Sequence, residues 1–148
     1  MTHDKRPVYV DTSALAKYYV NERRSGEVEA FIRQERSVTI SRLTVVEFRC
    51  LVARRRRARD VSIEAERKIL TAFENDLGET SLPVIALQDR HAVTAVELLS
   101  RLREHPLRAL DALHLAIAQE CEARLIATAD RVLANAAEAL GFQVARFD

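Results

Sequence analysis

Short apolar runs alternate along the chain with longer segments in which apolar residues recur every three or four positions. Short runs rich in β-branched residues are typical of buried strands, and the longer period is typical of helices packed on a core. Strands are predicted over residues 7–10, 38–40, 83–87, 125–127 and 142–147. Helices are predicted over residues 14–20, 26–34, 43–57, 63–77, 89–103, 108–123 and 130–140. This alternation indicates an α/β fold with three α/β/α layers and a central, mostly parallel sheet.

Four residues mark predicted helix boundaries. Ser41 and Asp89 are expected to cap the helices that follow them, because their side chains accept hydrogen bonds from free backbone N–H groups. Gly78 and Gly141 are expected just beyond helix ends, where glycine tolerates a left-handed backbone.

Length and composition indicate an ordinary globular protein. A chain of 148 residues fits one domain, residues 1–148, and can bury a core. The polar residues 1–6 and the short apolar run after them do not resemble a signal peptide, and no apolar stretch approaches the ~20 residues of a membrane span. Cys50 and Cys121 form no zinc motif. A cytoplasmic protein with free thiols and no membrane contact is therefore expected.

Two aspartates follow predicted strands. Asp11 comes directly after residues 8–10, and Asp130 comes shortly after residues 125–127. Ligands of open α/β sheets bind beyond the carboxyl ends of the strands, so both are candidates for a site. Taken singly, each is more simply interpreted as a helix cap. Thr12 and Ser13 are likewise either caps or groups that orient Asp11.

Two further carboxylates fall on apolar faces of predicted helices. Glu47 projects into the stripe formed by Leu43 and Leu51, and Asp111 lies on a similar face. A carboxylate in an apolar stripe costs free energy unless its charge is satisfied. A buried ion pair or an edge position open to water would explain either residue. Because Arg108 is expected to point away from Asp111 and to be a poor partner, a functional role is favoured.

Together the four carboxylates suggest a cation site. Mg²⁺ and Mn²⁺ prefer oxygen ligands. The short motifs that contain the four acids, residues 11–15, 41–47, 110–116 and 128–133, include no cysteine or lysine. Such ions activate water and offset the charge on a phosphate under attack. Without a cation, neighbouring carboxylates would repel one another and some pKa values would rise. An activity that requires metal and fails at low pH is predicted.

Five short segments contain the four acids and the residues that follow the last of them. They are residues 11–15 (DTSAL), 41–47 (SRLTVVE), 110–116 (LDALHLA), 128–133 (TADRVL) and 136–141 (AAEALG). In order and spacing these segments resemble the motifs of PIN domains, and particularly the toxins of bacterial VapBC toxin–antitoxin pairs. The likeness runs from about residue 8 to residue 144, and no acidic position of the pattern is missing.

The resemblance implies more than the residues alone. Members of this family are ribonucleases that cut single-stranded or structured RNA with Mg²⁺ or Mn²⁺. By motif match the metal ligands, or positioners of the attacking water, are Asp11, Glu47, Asp111 and Asp130, and Thr12, Ser13 and Thr128 are supporting groups. Family members commonly form homodimers, and a small DNA-binding antitoxin holds them inactive by laying a tail in the active-site groove.

Two other features have both a functional and a simpler explanation. A basic cluster, Arg54, Arg55, Arg56, Arg57 and Arg59, ends the helix of Glu47. The cluster could attract RNA or an acidic antitoxin segment, or it could be a solvated helix end favoured by the helix dipole. His114 follows Asp111 by three positions and could act as an acid, a base or a hydrogen-bond donor, although a packed core histidine is the favoured interpretation.

Three alternatives remain. The first is a nuclease for DNA or for RNA processing, without an antitoxin. The second is a phosphatase or phosphoacceptor domain, which the sequence disfavours because Asp11 lacks the second aspartate expected two positions later. The third is a non-catalytic binding module with a PIN fold, which four retained acids disfavour because unneeded buried charge is destabilising.

Overall fold

The structure is a computed structural model that describes residues 4–79 and 81–148. Met1 to His3 lie outside the described residues. They are half of the polar segment, residues 1–6, from which no signal peptide is expected. Within the described part of the chain, no helix is both long enough and apolar enough to cross a bilayer. Cys50 and Cys121 are both free thiols.

The described residues form five strands and seven helices. The strands are β1 (Val8–Val10), β2 (Val38–Ser41), β3 (Val84–Ile85), β4 (Leu125–Thr128) and β5 (Gln143–Arg146). The helices are α1 (Thr12–Tyr19), α2 (Ser25–Gln34), α3 (Arg42–Arg57), α4 (Ile63–Gly78), α5 (Asp89–Arg101), α6 (Ala109–Glu120) and α7 (Arg131–Ala139). Every predicted element is present, with small shifts at its ends.

All strand pairs in the sheet are parallel, and the strand order is β3-β2-β1-β4-β5. Tyr9 in the central strand stands opposite Thr39 on one side and Ile126 on the other. The chain builds the sheet outward from β1 in one direction and then returns to build the other half from β4. A crevice therefore opens beyond the carboxyl ends of β1 and β4, where ligands of such sheets bind.

Alternate residues of β1 face opposite sides of the sheet, as the two-residue period of a strand requires. Tyr9 packs with Ile126 against α5, α6 and α7, whereas Val8 and Val10 pack against α1 to α4. Both faces of the central strand are fully buried. The three-layer α/β/α prediction is confirmed.

Two predicted helix boundaries are wrong and two are confirmed. Gln88, not Asp89, is the N-cap of α5, because its backbone N–H donates to the imidazole of His91 (3.0 Å) at the first turn. Gly78 is the last residue of α4, not a residue beyond it. Ser41 caps α3 as expected, and Gly141 follows α7 with φ +91°, the left-handed conformation that favours glycine.

Candidate active site

Asp11 lies at the carboxyl end of β1 and is the N-cap of α1. Its Oδ1 accepts a hydrogen bond from the Ala14 backbone N–H (2.9 Å), so the capping role expected of a lone aspartate is present. The hydroxyl of Ser13 donates to both carboxylate oxygens (2.8 and 2.9 Å). The hydroxyl of Thr128 donates to Oδ2 (2.6 Å), which joins Asp11 directly to the end of β4.

The Asp11 carboxylate is buried without a cationic partner. Only 3% of the residue is exposed, and none of the ion pairs among residues 4–79 and 81–148 includes it. Burial raises the pKa of Asp11, although the nearby imidazole of His114 and the hydrogen bonds it accepts act in the opposite direction. A buried carboxylate of this kind would gain stability from a bound cation.

Glu47 lies on α3 and accepts two hydrogen bonds at Oε1. One comes from the hydroxyl of Thr12 (2.9 Å) and the other from Nε2 of His114 (2.5 Å). The side chain is 23% exposed, so Glu47 reaches water from its place in the apolar stripe while it contacts His114. Burial alone would raise the pKa of Glu47, but the contacts with His114 and the positive charge of Arg108 outweigh it and lower that pKa.

His114 is buried, as expected of a core residue, yet both of its ring nitrogens have polar partners. Nε2 contacts Glu47, and Nδ1 lies 2.6 Å from the hydroxyl of Tyr9. That hydroxyl lies 2.9 Å from Oγ of Ser41, the cap of the helix that carries Glu47. Burial raises the pKa of Tyr9, so the phenol stays protonated. A buried row of polar groups therefore runs from β1 through α6 to Glu47.

The expectation that Arg108 points away from Asp111 is wrong. Asp111 is the third residue of α6, and Arg108 is the N-cap three positions earlier. The Arg108 backbone N–H donates to Asp111 Oδ2 (2.9 Å), and its Nε lies 3.4 Å from the same oxygen. Residues three apart share a helix face, a spacing that the sequence interpretation overlooked. This contact partly satisfies Asp111, of which only 7% is exposed.

Asp130 is the N-cap of α7, so the simpler explanation of this aspartate also holds. Its Oδ1 accepts a hydrogen bond from the Leu133 backbone N–H (3.0 Å). Its Oδ2 lies 3.5 Å from Nη2 of Arg108, and its own backbone N–H donates to Oγ1 of Thr128 (3.0 Å). The guanidinium of Arg108 thus lies between Asp130 and Asp111.

A continuous set of contacts links the four predicted carboxylates. Its members, in the order in which they touch or adjoin, are Asp111, Arg108, Asp130, Thr128, Asp11, Thr12 and Glu47. These residues come from the end of β4, from the starts of α1, α6 and α7 and from the second turn of α3, and they meet at the carboxyl edge of the sheet. The structure therefore brings together the four acids and the three hydroxyl residues singled out in the sequence.

The basic cluster lies farther along α3. At 1.5 Å per residue, Arg54 and Arg57 stand about 10 and 15 Å beyond Glu47 along the helix axis. Arg55 pairs with Glu22 (2.7 Å), and Arg54, Arg57 and Arg59 are exposed. No ion pair within the described residues joins the cluster to the four acids.

The carboxylates suit a hard cation by donor type but are not arranged around one. Among residues 4–79 and 81–148, no three carboxylate, imidazole or thiol side chains are grouped so that they could hold a metal ion. The guanidinium of Arg108 stands between two of the acids, and hydroxyl groups are bonded to both oxygens of Asp11. Oxygen ligands fit Mg²⁺ or Mn²⁺, and the side chains would have to close around the ion.

Two cavities lie at the opposite, amino edge of the sheet. One is lined by Arg6, Arg124 and Gln143, among others, and the other by Pro7 and Val38. Neither contains any of the four acids. The candidate site is identified by its chemistry and by its position at the carboxyl edge, not by the depth of a pocket.

Sequence reasoning missed two residues that contact the acids or their partners. Arg108 could have been found from its spacing to Asp111, because residues three apart on a helix are neighbours. Tyr9 had a weaker signal: a phenol in the middle of a buried strand must find a polar partner, but the sequence does not say which one.

Comparisons with known proteins agree with this fold. A family model for the PIN domain matches residues 8–139. No curated protein matches the chain. Among solved structures, the chain is similar to Mycobacterium tuberculosis VapC20, a sarcin-ricin loop cleaving toxin, with 22% identity and a TM-score of 0.72 over 91% of this chain and 95% of the toxin.

Two further structures show the same fold. FitAcB from Neisseria gonorrhoeae is 18% identical with a TM-score of 0.71, covering 95% of this chain and 96% of that one. DNA-bound VapBC from Salmonella typhimurium is 17% identical with a TM-score of 0.66, covering 95% of this chain and 97% of that one.

Proposed function

The chain belongs to the PIN domain family, and from this we propose that it is a nuclease that hydrolyses RNA with the help of a divalent metal ion. One observation carries the proposal. Carboxylates from four separate segments meet at the carboxyl edge of the sheet and are linked through Thr12, Thr128 and Arg108. Bringing several acids together is unfavourable unless a cation or a reaction uses them.

The proposed metal ligands are Asp11, Glu47, Asp111 and Asp130. When bound, Mg²⁺ or Mn²⁺ would activate water and offset charge on the phosphate. Glu47 is ionised at neutral pH because His114 and Arg108 lower its pKa, so it offers a charged oxygen. Asp11 is held in one orientation by Ser13 and Thr128, which preorganises the centre of the site.

We further propose that the protein is the toxin of a toxin–antitoxin pair. VapC20 of Mycobacterium tuberculosis is described as a toxin that cleaves the sarcin-ricin loop, and the Salmonella VapBC was solved bound to DNA. By analogy, this chain would cleave RNA, form a homodimer in the cytoplasm, and be held by a DNA-binding antitoxin that covers the carboxylate edge. Residues 1–148 would form one nuclease domain.

A non-catalytic binding module with a PIN fold is the alternative that a specific observation favours. The acids are not grouped around a metal position, and Arg108 already neutralises part of their charge. On this alternative the edge would bind RNA or a protein without hydrolysing anything. A nuclease for DNA or for RNA processing is the nearer alternative, and substrate choice separates it from a toxin.

The first experiment is cleavage of a mixed RNA panel by the purified, antitoxin-free protein with Mg²⁺, with Mn²⁺ and with EDTA. Asp11→Asn removes the central charge while keeping the size of the side chain. Asp60→Asn makes the same change at an exposed aspartate outside the site. Loss of a cation's transition-state stabilisation of several kcal/mol predicts roughly 100-fold or more slower cleavage by Asp11→Asn.

Cleavage that requires metal, persists in Asp60→Asn and disappears in Asp11→Asn would support the proposal. Absence of both cleavage and Mn²⁺ binding in calorimetry would refute it and leave the binding module. Equal cleavage of single-stranded DNA would instead favour the DNA nuclease. A toxin is distinguished from a processing nuclease by its gene neighbour. A toxin should have beside it a short gene whose DNA-binding product co-purifies with the chain.

A further inference from the structure

We propose that Tyr9 and His114 form a buried clamp that positions the carboxylate of Glu47. The inference rests on the proposed function only for its effect on metal binding and catalysis; the clamp itself is a structural claim. Neither residue is proposed to touch the metal or the RNA. Both are positioning residues that act through Glu47.

The clamp reaches Glu47 from the central strand of the sheet. Tyr9 is the middle residue of the central strand and is fully buried between β2 and β4. Its hydroxyl lies 2.6 Å from Nδ1 of His114 and 2.9 Å from Oγ of Ser41. Tyr9 belongs to the buried core, which is close-packed, so a displacement of its ring and hydroxyl would disturb the neighbouring side chains.

The carboxylate of Glu47 fixes the direction of the hydrogen bond that it shares with His114. Glu47 is ionised and can only accept, so Nε2–H of His114 donates to it. Nδ1 of His114 and the hydroxyl of Tyr9 share the next hydrogen bond, which Nδ1 accepts in a neutral imidazole and donates in an imidazolium. The phenol oxygen is also within hydrogen-bond distance of Oγ of Ser41, which accepts from the Thr44 backbone N–H. In either charge state of the imidazole, every polar atom in the row has a partner.

The same row also holds the helix that carries Glu47. Ser41 is both the partner of the Tyr9 hydroxyl and the N-cap of α3. The hydroxyl of Thr12 donates to Oε1 of Glu47, the same oxygen that His114 contacts. Glu47 is therefore held through its carboxylate and through the start of its helix, although its side chain reaches water.

The test uses the whole 148-residue chain, purified free of metal, and three substitutions. Tyr9→Phe removes one oxygen and keeps the ring. His114→Ala removes the link to Glu47, and His114→Gln can restore a donor toward it. Tyr18→Phe is the matched control, because the Tyr18 hydroxyl makes no hydrogen bond within the described part of the chain, and His91→Gln controls for loss of a buried imidazole outside the site.

The first readout does not depend on activity. In ¹⁵N and ¹³C spectra, the clamp predicts that Tyr9→Phe shifts the Nδ1 resonance of His114 and the carboxyl resonance of Glu47, whereas Tyr18→Phe shifts neither. Thermal unfolding confirms that each variant is folded. Unchanged Glu47 and His114 resonances in a folded Tyr9→Phe protein would overturn the proposal.

The second readout is Mn²⁺ binding and single-turnover RNA cleavage. Loss of groups that orient a metal ligand predicts a Mn²⁺ dissociation constant raised roughly 10- to 100-fold in His114→Ala and about 3- to 10-fold in Tyr9→Phe. His114→Gln should lie between His114→Ala and wild type, and cleavage should fall in kcat with KM unchanged. Variants that match their controls in these values would contradict the positioning role.

Failure of the proposed function is distinguishable from failure of the clamp. If the wild-type protein neither binds Mn²⁺ nor cleaves RNA, the nuclease proposal is wrong, and the resonances of His114 and Glu47 alone decide the clamp. If the wild type binds Mn²⁺ and cleaves RNA but Tyr9→Phe equals Tyr18→Phe, the nuclease proposal stands and the clamp is refuted.

Discussion

The four acids of the candidate site fall into two pairs that are held by different means. We call Asp11 and Glu47 the hydrogen-bonded pair, because hydroxyl groups, a backbone amide and a buried imidazole donate hydrogen bonds to their carboxylates. Asp111 and Asp130, the arginine-bound pair, share the guanidinium of Arg108 at 3.4 and 3.5 Å.

The difference between the pairs lies in the mobility of their partners. Hydroxyl, amide and imidazole partners of the hydrogen-bonded pair belong to buried or half-buried residues at the ends of strands and starts of helices. The long side chain of Arg108 is 79% exposed and therefore solvated. Its ion pairs at these distances hold it only weakly. Backbone N–H groups also hold Asp111 and Asp130, so the part of the site that is free to rearrange around a ligand is the guanidinium between them.

The largest expected effect separates the two pairs in catalysis. Glu47→Gln should slow RNA cleavage roughly 100-fold or more, because a preorganised charged ligand contributes several kcal/mol to transition-state stabilisation. Asp130→Asn should slow it only about 10-fold, because Arg108 already offsets its charge in the free protein. Single-turnover cleavage at saturating Mn²⁺ measures both, with Glu97→Gln on the exposed face of α5 as control. Equal losses in the two variants would contradict the division into pairs.

Removing the mobile cation tests the arginine-bound pair directly. In Arg108→Gln, Asp111 and Asp130 lose a competing positive charge, and the Mn²⁺ dissociation constant should fall by roughly 3- to 10-fold. Calorimetry or electron paramagnetic resonance measures it, with Arg103→Gln as an exposed control. Unchanged Mn²⁺ affinity together with weaker RNA binding would show that Arg108 contacts the substrate instead.

Stability against pH should separate Asp11 from Glu47 within one pair. Burial raises the pKa of Asp11, so the wild type loses stability as pH rises from the unfolded-state pKa through the folded one. In EDTA, Asp11→Asn should therefore be more stable than wild type at pH 7, and the difference should shrink as pH falls to the unfolded-state pKa of the carboxyl group. Urea unfolding across pH measures this. An Asn variant that is less stable at pH 7 would show that its lost hydrogen bonds outweigh the removed charge.

Glu47 should behave in the opposite way. Its pKa is lowered in spite of its partial burial, so its contribution to stability is present above the unfolded-state pKa and is lost as pH falls through the folded one. Glu47→Gln should be less stable than wild type at pH 7, and the two should converge in acid. The same urea series measures this, and a stabilised Glu47→Gln protein would contradict the lowered pKa.

The smallest expected effect lies outside both pairs, in the basic cluster. If Arg54 and Arg57 contact RNA phosphates, the double change to Gln should make the plot of log binding constant against log salt concentration less steep. The slope should fall by about 0.7 for each phosphate contact that is lost. Replacing Arg67 and Lys68 on α4 removes the same charge from another exposed surface. Equal slopes in the two double variants would favour a solvated helix end.

Local sequence patterns were sufficient to predict the fold class and to single out two of the four candidate acids. Asp11 and Asp130 could be found because each follows a strand, and both prove to be helix caps that also face the crevice. The end positions of helices were less predictable. Gln88 rather than Asp89 is the N-cap of α5, because the buried imidazole of His91 accepts a hydrogen bond from the Gln88 backbone N–H. Boundaries of this kind depend on side chains whose placement the local pattern does not contain.

Partners distant in sequence were not predictable. The spacing of Arg108 and Asp111 was available but misread, whereas the contact between Arg108 and Asp130 joins two segments and has no local signal. The role of Tyr9 is the clearest case, since its hydroxyl meets His114 across 105 positions of sequence. An apolar strand pattern accounts for the ring and leaves the hydroxyl unexplained.

The sequence by itself determined the order of strands and helices along the chain, the PIN family and the choice of four candidate acids, because apolar periodicity and motif spacing are local properties of the chain. The tertiary structure alone decided which groups hold each acid and which pKa values rise or fall. Burial and hydrogen bonding between distant segments set those values. The division into a hydrogen-bonded pair and an arginine-bound pair exists only once parallel strands place their carboxyl ends side by side.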